Sequence, residues 1–201
     1  MQSNASSIQQ PNTFAVVQDH QNFVWTAGHN GLTRHDSYKN INFSSNNQSW
    51  PLPFDWIRSI SVLKDKKLLL ATEGYKLWQF DTTTGNASPV KIDVHQQSVF
   101  HAVEYQNSYF LNVPNKLYQL NLKNNQTSVI AENIEISDLK VTKKHLYIST
   151  KNGLFLLANN KLKKLLSENI FSMSVSNETL IVATKKEIIF IDDNEIGRAH
   201  V

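Results

Sequence analysis

A short strand, a tight turn and a second strand, written Phe23-Val24-Trp25-Thr26-Ala27-Gly28-His29-Asn30-Gly31-Leu32-Thr33-Arg34-His35-Asp36, return with variation four more times along this chain. Phe23 to Ala27 is aromatic and β-branched, and Asn30-Gly31 supplies residues that tolerate the positive φ of a hairpin turn. The apolar residues that follow each turn are Leu32, Leu77, Leu117, Leu154 and Ile188, at intervals of 45, 40, 37 and 34 residues. The flanking text repeats too: Ala27-Gly28-His29-Asn30-Gly31-Leu32, Ser149-Thr150-Lys151-Asn152-Gly153-Leu154 and Ala183-Thr184-Lys185-Lys186-Glu187-Ile188 align without a gap. Each unit resolves into four short strands bounded by Asn, Gly, Asp and Lys, with no helical period.

Strand-only units repeating at roughly 35 to 45 residues are the mark of propeller blades. The expected fold is all-β, a β-propeller of four-stranded antiparallel blades, incomplete, with about four and three-quarter blades present. Residues 1–13 read as a polar lead-in and 14–194 as the partial propeller, with blades at about 14–45, 56–92, 99–130, 135–166 and 170–194. In the second unit, residues 56–63, 67–72 and 76–80 read as strands and Val90 to Ile92 as a short outer strand. The fifth unit reaches Asp192-Asp193-Asn194, the loop position held by Asp36, Asp81 and Asn121 in earlier units. Residues 195–201 show no strand alternation and match the in-frame translation of a common sequencing-adapter stretch. They are expected to be a non-native tail, with the native reading running on elsewhere.

Composition removes several function classes. The chain has 201 residues, 40% hydrophobic and 18% charged, and a formal charge of +3, an ordinary balance for a packed domain. Lys140, Lys143, Lys144, Lys161, Lys163 and Lys164 fall at turns and on strand edges, where lysine blocks unwanted pairing, so no nucleic-acid surface is expected. Cysteine is absent, which excludes disulfides and thiolate chemistry. No apolar run reaches membrane-spanning length, so this segment is expected to make no direct membrane contact.

The seven histidines include two pairs spaced six apart, His29 with His35 and His95 with His101. Neither spacing sets two ligands on one strand face beside a third, so no metal site is expected. There is no nucleophile-elbow phrase and no Gly-rich phosphate loop, so no catalytic residue and no cofactor is expected. Trp25, Trp78, Phe80, Phe110 and Tyr147 fall at repeat-equivalent strand positions and are assigned to the core. Trp50-Pro51-Leu52-Pro53-Phe54-Asp55-Trp56 joins one blade to the next, where a rigid apolar loop packs between blades or meets a ligand or partner. The turns between second and third strands fall on the same face as this connection. His29, Asn30, Trp56, Tyr75, His95, Asn115 and Asn152 are therefore the candidate ligand-binding residues, suited to hydrogen-bonding a small polar ligand such as a sugar or metabolite.

The run from Val16 to Asp36 resembles the two-component regulator propeller repeat. That family's phrase is an acid, a turn, an apolar-Trp pair, then Gly-Leu and an aromatic-Asp ending. Asp19, Val24-Trp25, Gly31-Leu32 and Asp36 match it, with His35 where an aromatic is usual. The second unit matches through Leu70-Ala71-Thr72, Leu77-Trp78 and Phe80-Asp81, while the third and fifth lack the Trp and the Gly-Leu pair. The resemblance covers roughly residues 14 to 194. It implies the extracytoplasmic, periplasmic sensor of an inner-membrane signalling protein, with a histidine kinase or diguanylate cyclase output on the missing part. It also implies homodimerisation of the full-length protein and assigns no catalysis to this segment. The rival expectation is an interaction propeller that binds a protein partner and no small molecule.

Overall fold

The structure is a computed structural model that describes residues 12–36, 38–74, 76–94, 97–192 and 196–200. By contacts the chain divides into two compact units, Met1–Ala102 and Val103–Val201. In the first, β1 (Thr13–Gln18), β2 (Val24–Gly28), β3 (Gly31–His35) and β4 (Asn40–Phe43) form one antiparallel sheet in chain order. A second sheet follows with β5 (Ile57–Val62), β6 (Leu68–Thr72), β7 (Lys76–Phe80) and β8 (Ala87–Pro89).

The division between the units falls within β9 (His101–Tyr105), the edge of a sheet continued in order by β10 (Ser108–Val113), β11 (Lys116–Asn121) and β12 (Thr127–Glu132). The fourth sheet is β13 (Ile136–Val141), β14 (Leu146–Thr150), β15 (Gly153–Ala158) and β16 (Lys161–Leu166). The fifth is β17 (Ser172–Ser176), β18 (Thr179–Ala183), β19 (Glu187–Ile191) and β20 (Ile196–His200). Five small four-stranded antiparallel sheets in sequence are the blades of a β-propeller. The described residues contain no helix, hence none long and apolar enough to cross a membrane.

The spacing within the first repeat has a physical cause at Asp19 and Trp25. Asp19 is buried, and its carboxylate accepts hydrogen bonds from the backbone N–H groups of Gln21 (2.8 Å) and Phe23 (3.0 Å) and from Trp25 Nε1 (2.7 Å). One side chain thus closes the β1–β2 turn and satisfies the indole N–H that the core would otherwise leave unpaired. Trp25 is fully buried, with ring centroids 5.5 Å from Phe80 and 5.8 Å from Phe43. These rings, with Leu32, Ile57, Ile60, Leu68 and Leu70, make the core between the first two sheets, where β1 lies beside β5.

The glycine of the Gly-Leu pair answers a close backbone approach. At Gly31, φ is +87° and a Cβ would fall 2.1 Å from the Phe43 carbonyl oxygen. At Gly153, φ is +139° and a Cβ would fall 2.1 Å from the Leu166 oxygen. In both sheets the end of the fourth strand crosses this residue, so only glycine fits. The third sheet holds Lys116 there because β12 runs on far enough to pair Glu132 with it.

In the second unit, Phe110 and Leu117 pack with Leu139, Leu146 and Ile148, and Tyr147 and Leu154 with Met173, Leu180 and Val182. Trp25, Phe80, Phe110 and Tyr147 are buried as core residues; Trp78 is half-buried, its ring 5.0 Å from Phe54.

Two strand assignments differ from the sequence reading. The outer strand of the second sheet is Ala87–Pro89, not Val90 to Ile92. Asp81 closes its loop tightly, accepting from Thr83 N and Thr84 N, while Asp81 N donates to Asn86 O at 2.9 Å. Pairing therefore begins at once, and Pro89 is tolerated because an edge strand has one unpaired side. In the fifth sheet, Ile196–His200 pairs along β19, although its sequence carries no strand pattern. Edge pairing uses backbone groups that any residue except proline supplies, so it needs no alternation.

Candidate functional site

The described candidate residues, His29, Asn30, Trp56, Asn115 and Asn152, fall at the ends of strands where the second-to-third-strand turns meet the start of the first strand. That end is shaped by a repeated irregularity. β1 shifts register between Thr13 and Ala15, β5 between Ile57 and Ser59, and β13 between Ile136 and Asp138. Each bulge releases one residue from the ladder and re-aims its side chain. In the first unit the released residues are Phe14 and Arg58.

Phe14 and Arg58 flank two of the candidates. The His29 ring meets Phe14 edge-on at 4.7 Å and Trp56 at 4.4 Å. Arg58 lies over Trp56 at 5.8 Å and over Phe100 at 5.3 Å, and its Nε donates to Glu73 Oε2 at 2.8 Å. Phe14, His29, Trp56, Arg58 and Phe100 thus form a continuous ladder of rings and guanidinium. Its outer members stay open to solvent, with Phe14 50%, Trp56 42% and Phe100 39% exposed. His29 Nδ1 is 3.4 Å from Asn12 Nδ2, while Nε2 is buried and makes no hydrogen bond with the described residues. Asn30 is exposed at the turn; its backbone oxygen accepts from Asn42 Nδ2 at 3.2 Å, and Gly31 N donates to Asp55 O at 2.7 Å. Tyr75 and His95 lie outside the described residues.

Asn115 and Asn152 line one cavity of about 560 Å³ in the second unit, together with Asn133, Ile134, Glu135, Thr150, Lys151 and Phe155. Its wall runs along turns and the connection between two sheets. Asn115 (φ +59°) and Asn133 (φ +57°) occupy the left-handed region that Asn tolerates, and Ile134 N donates to Asn115 O at 3.2 Å. Thr150 spends its hydroxyl on the turn, donating to Gly153 O and accepting from Asn152 N, both at 3.1 Å. The side-chain amides of Asn115, Asn133 and Asn152 make no hydrogen bond within the described protein. Lys151 forms an ion pair with Glu135, and both side chains are open to solvent. Lys116 at the neighbouring turn pairs with Glu132 at 2.7 Å, and that hydrogen bond holds its ammonium above the ordinary lysine range. The cavity wall therefore offers neutral donors and acceptors, one exposed charge pair and a small apolar floor.

The sequence candidates Asn115 and Asn152 line this cavity; its neighbours Glu135, Asn133 and Phe155, and Phe14 and Arg58 beside His29 and Trp56, are not among the candidates. A signal existed for Glu135. It stands immediately before its sheet's first strand, as Trp56 does, so carrying Trp56 along the repeat reaches it. The bulges left no trace in the residue pattern. Among the described residues no group of His, Cys, Asp or Glu is arranged to hold a metal ion.

No protein-family model matches the chain, and no curated protein matches it. Solved structures do. The extracellular domain of a protein assigned to a hybrid two-component system of B. thetaiotaomicron superposes with a TM-score of 0.69 at 14% identity, over 94% of this chain and 31% of that one. Virginiamycin B lyase from Staphylococcus aureus gives 0.73 at 11% identity, over 94% and 70%. PorZ, a surface component of the type-IX secretion system of Porphyromonas gingivalis, gives 0.67 at 13% identity, over 98% and 27%. The chain thus spans about a third of the first of these structures, and the shared feature is the propeller fold.

Proposed function

We propose that this chain is part of the ligand-sensing, extracytoplasmic propeller of a bacterial membrane-bound signalling protein. The output, a histidine kinase or diguanylate cyclase, belongs to the rest of that protein. The observation that carries the reading is the cavity lined by Asn115, Asn133 and Asn152, whose exposed amides bond nothing within the described protein. Such a cavity has the size and the few convergent polar groups of a small-molecule site. The fold likeness to an extracellular two-component domain supports the placement and the signalling role. Signalling needs a ligand that binds one conformational state better than another, and a cavity between two adjoining sheets is placed to feel their relative motion. The segment itself has no catalytic role in this reading.

Reading the gene through both ends of this chain tests the proposal. A membrane helix followed by a kinase or cyclase module supports it; a complete gene with neither sinks it. Turnover of a streptogramin B by the protein would overturn the non-catalytic part. A second reading, a protein-interaction propeller, draws on the exposed ring ladder of the first unit, whose Trp, Phe and Arg are the residue types that dominate binding hot spots. Trp56→Ala with Phe100→Ala would then abolish assembly of the full-length protein in sedimentation while leaving ligand binding intact.

A further inference from the structure

The cavity of the second unit carries a statement about ligand class, which rests on the sensing function proposed above. Three features narrow the chemistry. The first is the set of unspent amides on Asn115, Asn133 and Asn152, each offering donors and an acceptor and no charge. The second is the Lys151–Glu135 pair at the same wall, with side chains 64% and 63% exposed. The third is the apolar contribution of Ile134 and Phe155, the latter with Lys164 Nζ 5.7 Å from its ring centre.

We infer that the cavity takes a zwitterionic ligand of the α-amino-acid type, a free amino acid or a short peptide whose termini lie close together. An ion pair this exposed contributes little to stability, so opening it costs little. A singly charged ligand can satisfy only one partner and leaves the other facing a lost counter-ion. A zwitterion replaces both partners at once: its carboxylate accepts from Lys151 Nζ and its ammonium donates to Glu135. The net charge of the cavity is unchanged by the exchange. The Asn amides then bond the remaining carbonyl or amide groups, and Ile134 and Phe155 meet an apolar side chain. A neutral polyol would hydrogen-bond the amides and the pair's exposed edges but would bring no charge to exchange with either partner.

The test is isothermal titration of the whole protein with three probes: free L-glutamine, its N-acetyl amide, and D-glucose. The expected result is binding of free glutamine with at least a tenfold loss for the N-acetyl amide and no heat from glucose. Glu135→Gln and Lys151→Met should each cost glutamine tenfold or more in affinity. The double variant Glu135→Lys with Lys151→Glu keeps the ion pair and its structural role but exchanges the two charges. It should therefore bind as poorly as the single variants while melting at the wild-type temperature. If the N-acetyl amide or glucose binds as tightly as glutamine, the zwitterion assignment is overturned and the sensing function stands. If no probe binds the wild-type protein, the zwitterion assignment is overturned and the cavity no longer supports sensing.

Discussion

The same end of the repeat unit does opposite things in the two halves of this chain. In the first unit, the residues at that end spend themselves on one another: His29 sits edge-on between Phe14 and Trp56, and Arg58 bonds Glu73 with side chains 33% and 41% exposed. In the second unit, the ion pair of Lys151 with Glu135, built from different strand positions, is 64% and 63% exposed, and three amides beside it have no partner in the described protein. One hairpin geometry therefore supports either a ring-packed end or an end with exposed, unbonded amides. The residue before the first strand differs with it, Trp56 in one sheet and Glu135 in the other.

The largest expected effect separates core from rim. Trp25→Ala removes the central ring of the first unit's core and leaves the buried Asp19 carboxylate without its indole donor. The expected destabilisation is about 3–5 kcal/mol from the lost ring, read by urea denaturation. By contrast, Asn152→Ala should change stability by no more than about 0.5 kcal/mol, since its amide bonds nothing within the described protein and its backbone lies outside the left-handed region, while weakening ligand binding. A larger stability cost from Asn152→Ala would show that its amide holds the turn together, and the contrast between the two ends would collapse.

Gly153→Ala tests the backbone beneath the cavity. The added methyl would meet the Leu166 oxygen, and φ at +139° is closed to alanine. The expected cost is about 1–3 kcal/mol, with loss of the β15–β16 pairing at Leu154–Leu166 seen in amide exchange. A smaller effect is expected from Trp56→Ala, because its ring is 42% exposed and lies outside the core. A loss of about 1 kcal/mol or less is predicted from the ring contact with His29. A larger loss would mean that the ladder is structural and would remove the basis for reading it as a docking surface.

The fold was legible because it depends on local signals repeated five times. Asp19 before a turn and Trp25 after it, Asn30-Gly31 at a hairpin, and Asp36, Asp81 and Asn121 at the next loop each state a local geometry, and the structure uses each one. Edge strands were harder to read. Ala87–Pro89 and Ile196–His200 are set by loop length and by free backbone groups on a neighbour, and neither leaves a mark in side-chain periodicity. The candidate site was legible only in part for a related reason. A turn asparagine can be read from sequence, but whether it meets Glu135 and Asn133 depends on how two sheets pack.

The smallest effect also distinguishes the halves. Asp36 and Asp81 each accept two backbone N–H bonds at the loop after the third strand, from Tyr38 and Lys39 and from Thr83 and Thr84. Those bonds hold both carboxyls below the ordinary aspartate range. A carboxyl with a lowered folded pKa adds stability that is fully present above its unfolded value, near 3.8, and is lost as pH falls through the folded value. In the second unit Asn121 fills the same position, accepting from Lys123 N at 2.8 Å, and cannot titrate. The double change Asp36→Asn with Asp81→Asn should therefore keep both loops closed and shift the melting temperature little at pH 7. Below about pH 4 the variant's melting temperature should fall less steeply than the wild type's, because the unfolded aspartates no longer take up protons there. An acid limb of unchanged slope would show that these two loops do not set the acid sensitivity of the first unit.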